Sequence, residues 1–322
     1  MATVYEDKTS EFFLDENIIK ILLKDRTTKK NILWMTDNYT SYGKQYLEKS
    51  GIKLKLITGK NSKIIRPRIE KSKLEQNKRI RDKAEVFTPS WVCNKQNNLV
   101  DNEWFERTGI FNNEAENTWI TNNLKIEFPE GKSWTDYVLL NRLEITCGEA
   151  PYLVSRYDTV SGNYIKVKDR IGMYDRKLRV ISENTDNKSE WLEWAKKATQ
   201  SIYGFEWQGD NLYLARTNIV YSYAEHYFDK FNDYPNENNL IEIAEIVSWN
   251  LWQMDGLKFV VPMSCVEKEI PSLNDLFGEE IEVEKQKCTG CLTNNIRAHN
   301  GIYCKIKDWK ANKIIRAVDM LN

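Results

Sequence analysis

Apolar positions near the start of the chain follow both helical and strand-like spacing. Residues 16–24 carry apolar side chains at helical spacing, residues 31–35 are strand-like, and residues 52–57 alternate with a period of two. The pattern therefore predicts a helix followed by two strands. We expect residues 1–59 to form a small α/β lead-in.

The middle of the chain alternates between predicted strands and predicted helices. In chain order these are a strand at 142–146, a helix at 189–199, a strand at 201–207, helices at 209–228 and 240–252, and a strand at 254–261. This order is typical of a parallel sheet with crossover helices, so the predicted fold class is α/β. The last part, 264–322, is cysteine-rich, and a β-hairpin is predicted from 302–306 and 314–318.

The composition excludes several classes of protein. The chain is 41% hydrophobic, and its 47 Lys and Arg balance its 47 Asp and Glu. A disordered or collagen-like protein is excluded, as is a chain that is basic throughout. The N-terminus lacks an apolar core of signal-peptide length, and the longest apolar runs are too short to span a bilayer. We expect a cytoplasmic protein with no membrane partner.

The balanced total hides a basic segment at 60–83, which has ten cations and three acids. Such a run favours phosphate neutralisation, so DNA is the predicted partner. The candidate nucleic-acid-binding residues are Lys63, Arg66, Arg68, Lys78, Arg79 and Arg81. The alternative is a solvated helix with ion pairs such as Glu75 with Arg79.

Acidic residues recur at three predicted strand ends. Glu144 precedes Cys147 and Gly148, Glu206 ends the next strand, and Asp255 comes at the third. Ligands of parallel α/β sheets bind beyond these ends, where a carboxylate can accept ribose hydroxyls and a glycine lets the backbone approach closely. The alternative for each acid is a polar exit from a strand into a loop.

These segments resemble a known family. Residues 84–92, AEVFTPSWV, look like the "FTP" segment of adenine-N6 DNA methyltransferases from restriction–modification systems. Residues 143–153 resemble that family's "LDPACGSGAFL" motif, with Ala150 in place of its second glycine, and 202–219 resemble its ribose-binding segment. The resemblance implies a Rossmann-like S-adenosylmethionine-dependent core at 60–263. The cofactor-binding residues that it implies are Phe87, Thr88, Pro89, Glu144, Thr146, Cys147, Gly148, Glu206, Trp207 and Asp255.

One family feature is missing. The catalytic tetrapeptide, Asn/Asp/Ser-Pro-Pro-aromatic, is absent because no two of the seven prolines are adjacent. We therefore expect an incomplete methyltransferase core that needs a second protein chain for catalysis. The alternative is a catalytically inactive relative that binds DNA or a protein partner in defence or counter-defence. A third and weaker hypothesis is a nuclease. It rests on Glu130-Gly-Lys132, which follows the strand-like residues 124–128.

The tail carries a candidate metal site. Cys288-Thr-Gly-Cys291 presents two thiolates in one turn, and His299 and Cys304 complete a predicted zinc site. Cys265 is the alternative fourth ligand. The competing interpretation is a pair of reduced thiols in a surface turn.

Overall fold

The computed structural model of the chain describes residues 14–83, 85–86, 88–271 and 283–321. Its α-helices are α1 Glu16–Leu22, α2 Lys73–Lys83, α3 Ser90–Phe105, α4 Trp134–Leu139, α5 Met173–Asn184, α6 Lys188–Gln200, α7 Gly209–Phe231, α8 Glu237–Asn250 and α9 Thr289–Thr293. Its strands are β1 Asn112–Ala115, β2 Thr118–Thr121, β3 Arg142–Ile145, β4 Ile202–Glu206, β5 Leu251–Gln253, β6 Lys268–Pro271, β7 Val283–Gln286, β8 Lys305–Asp308 and β9 Lys313–Arg316.

The central feature is a parallel sheet with the strand order β3-β4-β5. Glu144 lies opposite Gly204, and Glu206 lies opposite Gln253, so the carboxyl ends of all three strands meet at one edge. Helices α5 and α6 connect β3 to β4, and α7 and α8 connect β4 to β5. The predicted α/β class with crossover helices is confirmed.

The helix ends depend on short-range hydrogen bonds. Helix α6 begins one residue before the predicted start, because the side chain of Asn187 accepts the N–H of Glu190 and caps it. Helix α7 begins at Gly209, where a Cβ would lie 1.9 Å from the carbonyl oxygen of Leu33, so only glycine fits this close approach.

The third predicted strand is displaced along the chain. Helix α8 ends at Asn250 and β5 follows at once, whereas most of the predicted strand at 254–261 forms a turn closed by a bridge between Asp255 and Val260. The Asp255 side chain accepts the N–H of Leu257 and stabilises this turn. Asp255 still follows the end of the third strand.

The lead-in agrees with its pattern only in part. Helix α1 is confirmed, but residues 31–35 make isolated bridges, and residues 52–57 contain a 3-10 helix, Leu54–Leu56, where a strand was predicted. The strand prediction for 52–57 is wrong because the backbone here closes on itself. The N–H of Leu56 donates to the carbonyl of Lys53, and the N–H of Ile57 donates to that of Leu54, which is the 3-10 pattern.

Two apolar clusters cover opposite faces of the sheet. The larger joins Trp34 of the lead-in and Trp191 of α6 to Ile202 and Leu251 of the sheet. The second cluster contains the strand residues that point to the other face of the sheet, including Phe205 and Trp252. They pack with the tail residues Cys304, Ile306 and Ala317. Apolar packing therefore crosses both predicted domain boundaries, at 59/60 and at 263/264.

Strand β3 forms an open edge of the sheet among the described residues, since it pairs there with β4 alone. Leu143 and Ile145 lie opposite Tyr203 and Phe205 and so point to the face that the tail covers farther along. They remain 49% and 65% exposed. The tail therefore covers this face at β4 and β5 but leaves it open at β3.

Two further predictions concern the periphery. The C-terminal hairpin is confirmed as β8 and β9, with Ile306 opposite Ile315. Residues 124–128 form no regular strand, so the acid-and-lysine pattern at 130–132 does not follow a strand as expected. Lys132 donates to Glu106 and to the carbonyl of Trp104. Across the described ranges, no helix has both the length and the apolar character needed to cross a membrane.

Candidate functional site

Four side chains of the tail converge on one point. Cys265, Cys288, Cys291 and His299 place their ligand atoms within 4.8 Å of one another. The three Sγ atoms lie 3.7, 3.6 and 3.6 Å from Nδ1 of His299. Tetrahedral coordination at ordinary metal–sulfur and metal–nitrogen distances requires a sulfur–nitrogen separation of about 3.6 Å. The cluster can therefore hold a metal ion with four protein ligands.

The fourth ligand differs from the one first predicted. Cys304 lies outside the cluster, and its buried thiol donates to the carbonyl of Gln253 at 3.3 Å. Cys265, the alternative ligand in the sequence analysis, takes its place. The segment after Val261 runs beside residues 299–303, where the N–H of Val261 donates to the carbonyl of Ile302, and this brings Cys265 to the cluster. The Cys288, Cys291 and His299 predictions agree with the cluster.

Close backbone packing supports the cluster. A Cβ on Gly290 would lie 2.6 Å from both N and Nδ1 of His299, and a Cβ on Gly301 would lie 3.0 Å from Sγ of Cys265. The N–H of Asn300 donates to Sγ of Cys288 at 3.2 Å. Burial opposes ionisation of Cys288, but this bond and others from its neighbours outweigh it and lower the pKa of Cys288 to about 6. The lowered pKa favours the thiolate form that a metal needs.

Glu206, at the end of β4, contacts the loop that follows β3. One carboxylate oxygen of Glu206 accepts the N–H of Gly148 at 2.9 Å, and the other accepts the N–H of Gln208 at 3.0 Å. Glu206 is only 7% exposed, and its burial raises its pKa to about 7 against the effect of these two bonds. The glycine after β3 and the acid at the end of β4 thus form one unit.

Glu144 holds the loop after β3 in place. Its two carboxylate oxygens accept the N–H groups of Tyr152 and Leu153 at 3.3 and 3.1 Å, and burial raises its pKa to about 8. Within this loop Thr146, Gly148 and Ala150 have φ values of 49°, 54° and 64°. Ala150 therefore keeps the left-handed backbone that glycine would adopt without strain.

The remaining predicted cofactor residues lie around this edge. Asp255 pairs with Lys258 at 3.3 Å, and the carbonyl of Trp207 accepts Nε2 of Gln253. Cys147 is buried beneath the loop, and its N–H donates to the carbonyl of Phe205. The Thr146 hydroxyl donates to the preceding carbonyl.

The segment at 84–92 also reaches the loop after β3. The carbonyl of Thr88 accepts the hydroxyl of Thr159, which lies between β3 and α5. Pro89 precedes α3 and provides its N-cap. Phe87 lies outside the described residues.

The basic segment is mostly neutralised by the fold. Arg79 is 2% exposed and pairs with Asp210 at 2.8 Å and with Glu85 at 2.5 Å, which corrects its prediction as a phosphate contact. Lys71 is also buried, 3.6 Å from Asp210. An isolated buried charge is strongly disfavoured, so these cations stabilise the chain and are not available to a nucleic acid.

The other predicted nucleic-acid residues differ in their surroundings. Arg66 pairs with Glu75, and Lys78 with Asp37, each at 3.4 Å. Arg81 pairs with its neighbour Asp82 at 2.8 Å. Arg68 donates its backbone N–H to Glu149 at 2.7 Å, which attaches this segment to the loop after β3. Lys63 is exposed.

Glu85 is the main site residue that the sequence did not single out. Its Oε2 accepts hydrogen bonds from Gln208 and Asn211, each at 3.1 Å, besides pairing with Arg79. It thereby attaches the segment before Thr88 to the first turn of α7, next to Glu206. The sequence signal that could have identified Glu85 is its position between the basic segment at 60–83 and the FTP segment.

The chain was compared with protein-family models, with curated proteins and with solved structures, and nothing matches in any of the three. Functional conclusions therefore depend on the residues and geometry of the chain itself.

Proposed function

We propose that the chain is an S-adenosylmethionine-dependent, DNA adenine-N6 methyltransferase-like protein of a restriction–modification system, acting in the cytoplasm. The observation that carries the proposal is the contact between the Gly148 N–H and Glu206 at 2.9 Å. It joins the glycine of one motif to the ribose-binding acid of the next at the carboxyl edge of a parallel sheet, where ligands of such sheets bind.

The residues present fit the cofactor. Each oxygen of Glu206 accepts one backbone N–H, and a carboxylate oxygen has room for a second donor such as a ribose hydroxyl. Asp255 would accept the adenine amine, and Gly148 has a left-handed backbone, with φ at 54°, that glycine adopts without strain. Glu144 would act indirectly, by holding the loop. The bound cofactor would supply the methyl group.

We assign the missing catalytic tetrapeptide to a second chain. The open edge of β3 supports this assignment, because parallel sheets are normally covered on both faces and Leu143 and Ile145 are exposed there. A strand from the second chain beside β3 would pair with its free backbone groups and cover both side chains. The tetrapeptide at its end would then face the loop after β3.

Calorimetry tests cofactor binding. We expect S-adenosylmethionine to bind the isolated chain, and Glu206→Ala to weaken binding at least about tenfold through loss of a ribose contact. Glu193→Ala removes an exposed acid of α6 and is the matched control, with no expected effect. Absence of binding at millimolar cofactor contradicts the proposal.

Methyl transfer tests the second chain. Labelled methyl incorporation into DNA is measured for the chain alone and together with the products of adjacent genes. We expect incorporation only in the mixture, and an Ile145→Lys variant, which places a charge on the open edge, to abolish it without changing cofactor binding. Equal activity of the chain alone rules out the second-chain requirement.

We further propose that the metal is zinc, in a structural role, since three thiolates and one imidazole fill all four tetrahedral positions. Elemental analysis of protein purified without chelators should give about one equivalent. Less than about a tenth of an equivalent contradicts the assignment.

A second candidate is a catalytically inactive relative that binds DNA or a protein partner in defence or counter-defence. Two features favour it: Ala150 replaces the second glycine of the motif that residues 143–153 resemble, and the catalytic tetrapeptide is absent. Cofactor binding without methyl transfer under every partner condition supports this candidate over the first.

A further inference from the structure

The turns at residues 38–63 are rich in lysine. We call these residues the lysine lobe. It contains six cations and a single acid, Glu48. All six cations are exposed lysines: Lys44, Lys49, Lys53, Lys55, Lys60 and Lys63.

The lysine lobe is an ordered unit. Its interior contains Tyr46, whose ring centroid lies 5.2 Å from that of Trp34 and whose hydroxyl donates to the carbonyl of Leu56. Side chains also join successive turns, because Ser50 donates to the carbonyl of Lys44 and Asn61 donates to that of Lys55. The lysines therefore project from turns that are held against one another.

These lysines differ from the cations that follow them in the chain. Arg66, Lys78 and Arg79 each have a carboxylate partner. Within the described part of the chain no carboxylate lies at ion-pair distance from any of the six lysines, and Glu70 is a more distant acidic neighbour of Lys63 alone. Several like charges without acidic partners repel one another and produce a positive field, which a polyanion would neutralise.

We propose that the lysine lobe binds the phosphate backbone of duplex DNA. Duplex DNA carries one negative charge per ~1.7 Å of its axis, so several exposed lysines on one ordered unit can neutralise several phosphates at once. Tyr42, 57% exposed beside the lobe's interior ring Tyr46, provides an additional contact for sugar or base. An anionic membrane surface would attract the same lysines, so binding to vesicles is measured as the competing outcome.

The choice of DNA as the polyanion rests on the proposed function, whereas the charge arrangement does not. The test therefore uses no cofactor: anisotropy of a labelled duplex is measured from 50 to 300 mM salt. The test variant is K49Q/K53Q/K55Q/K60Q. The matched control is K20Q/K188Q/K196Q/K197Q, which removes four exposed lysines that are already ion-paired.

Each lost phosphate contact lowers the slope of log K against log salt by about 0.9. We expect the slope of the test variant to fall by about 3 to 4 and its affinity at 100 mM salt to fall at least about tenfold. The control slope should change by less than about 1. Thermal melting should be unchanged in both variants, since the substituted side chains are exposed.

Equal slopes for the wild type and the test variant would overturn the proposal. So would a test variant that keeps its DNA affinity but loses binding to vesicles rich in phosphatidylserine. Loss of S-adenosylmethionine binding with normal DNA binding would remove the proposed function and leave this inference standing.

Discussion

The metal cluster allows the sharpest test, because sequence and structure name different fourth ligands. We expect Cys265→Ser to impair the site and Cys304→Ser to leave it intact. Cys265 Sγ lies 3.7 Å from Nδ1 of His299, whereas the Cys304 thiol donates to the carbonyl of Gln253. A serine at 304 keeps that hydrogen bond, which makes it a matched control.

The expected size of the effect follows from the coordination. Changes in residues around a metal site typically weaken binding 10–100-fold, and loss of a thiolate ligand should cost at least about 100-fold. At saturating metal, a 100-fold loss of affinity removes about 2.7 kcal/mol of the stabilisation that binding gives the folded tail. This loss should appear as faster hydrogen exchange in residues 283–321.

Two assays check the prediction. X-ray absorption of the wild type should show three sulfurs at about 2.3 Å and one nitrogen at about 2.0 Å, falling to two sulfurs in Cys265→Ser. Competition with a chelator measures the affinities, and circular dichroism confirms folding of both variants. The reasoning is refuted if Cys304→Ser loses the metal, or if Cys265→Ser binds it as tightly as the wild type.

Three further predictions test other parts of the structure. Ala150→Gly should destabilise the chain by about 1 to 2 kcal/mol less than the helical control Ala195→Gly does. Both changes remove a buried methyl group, but only Ala150→Gly relieves a left-handed backbone, at φ 64°. Urea titration of the two variants checks this, and equal destabilisation contradicts it. Asp210→Asn should cost about 3 kcal/mol at neutral pH, because the buried Lys71 loses this carboxylate and Arg79 keeps its pair with Glu85 but loses the one with Asp210. Burial opposes ionisation, yet Arg79 and Lys71 hold the pKa of Asp210 below its ordinary value, so its contribution is present above about pH 4 and lost as pH falls further; denaturation from pH 3 to 7 should show the wild-type advantage shrinking at the acid end, and a constant difference speaks against it. Burial raises the pKa of Glu206 to about 7, so the folded chain keeps a proton that the unfolded chain releases near pH 4.5. This residue should therefore contribute a fall in stability of roughly 3 kcal/mol as pH rises between these values, in addition to the fall from Glu144, whose pKa burial raises to about 8. In urea titrations Glu206→Gln should show a shallower dependence on pH, and curves parallel to the wild type exclude the contribution.

The sequence by itself determined the local elements and the order of the motifs. Apolar periodicity located α1, α6 and α7 because a helix buries residues that recur every three to four positions. The strand, helix, strand order predicted the parallel sheet, since connections between parallel strands need a crossover. The spacing of Cys288 and Cys291 likewise indicated a metal site before its geometry was known.

Only the tertiary structure decided which residues meet. Cys265 and Cys304 look alike in sequence, and the return of the chain along residues 299–303 selects Cys265. Arg79 and Lys71 look like surface cations in the sequence, yet both are buried and pair with Asp210, which lies more than a hundred residues away in the chain. The alternation at 52–57 indicated a strand, but the backbone closes a 3-10 turn there. For the metal ligand and the buried cations, the deciding contact lies far away in the chain, and local spacing cannot indicate such a contact.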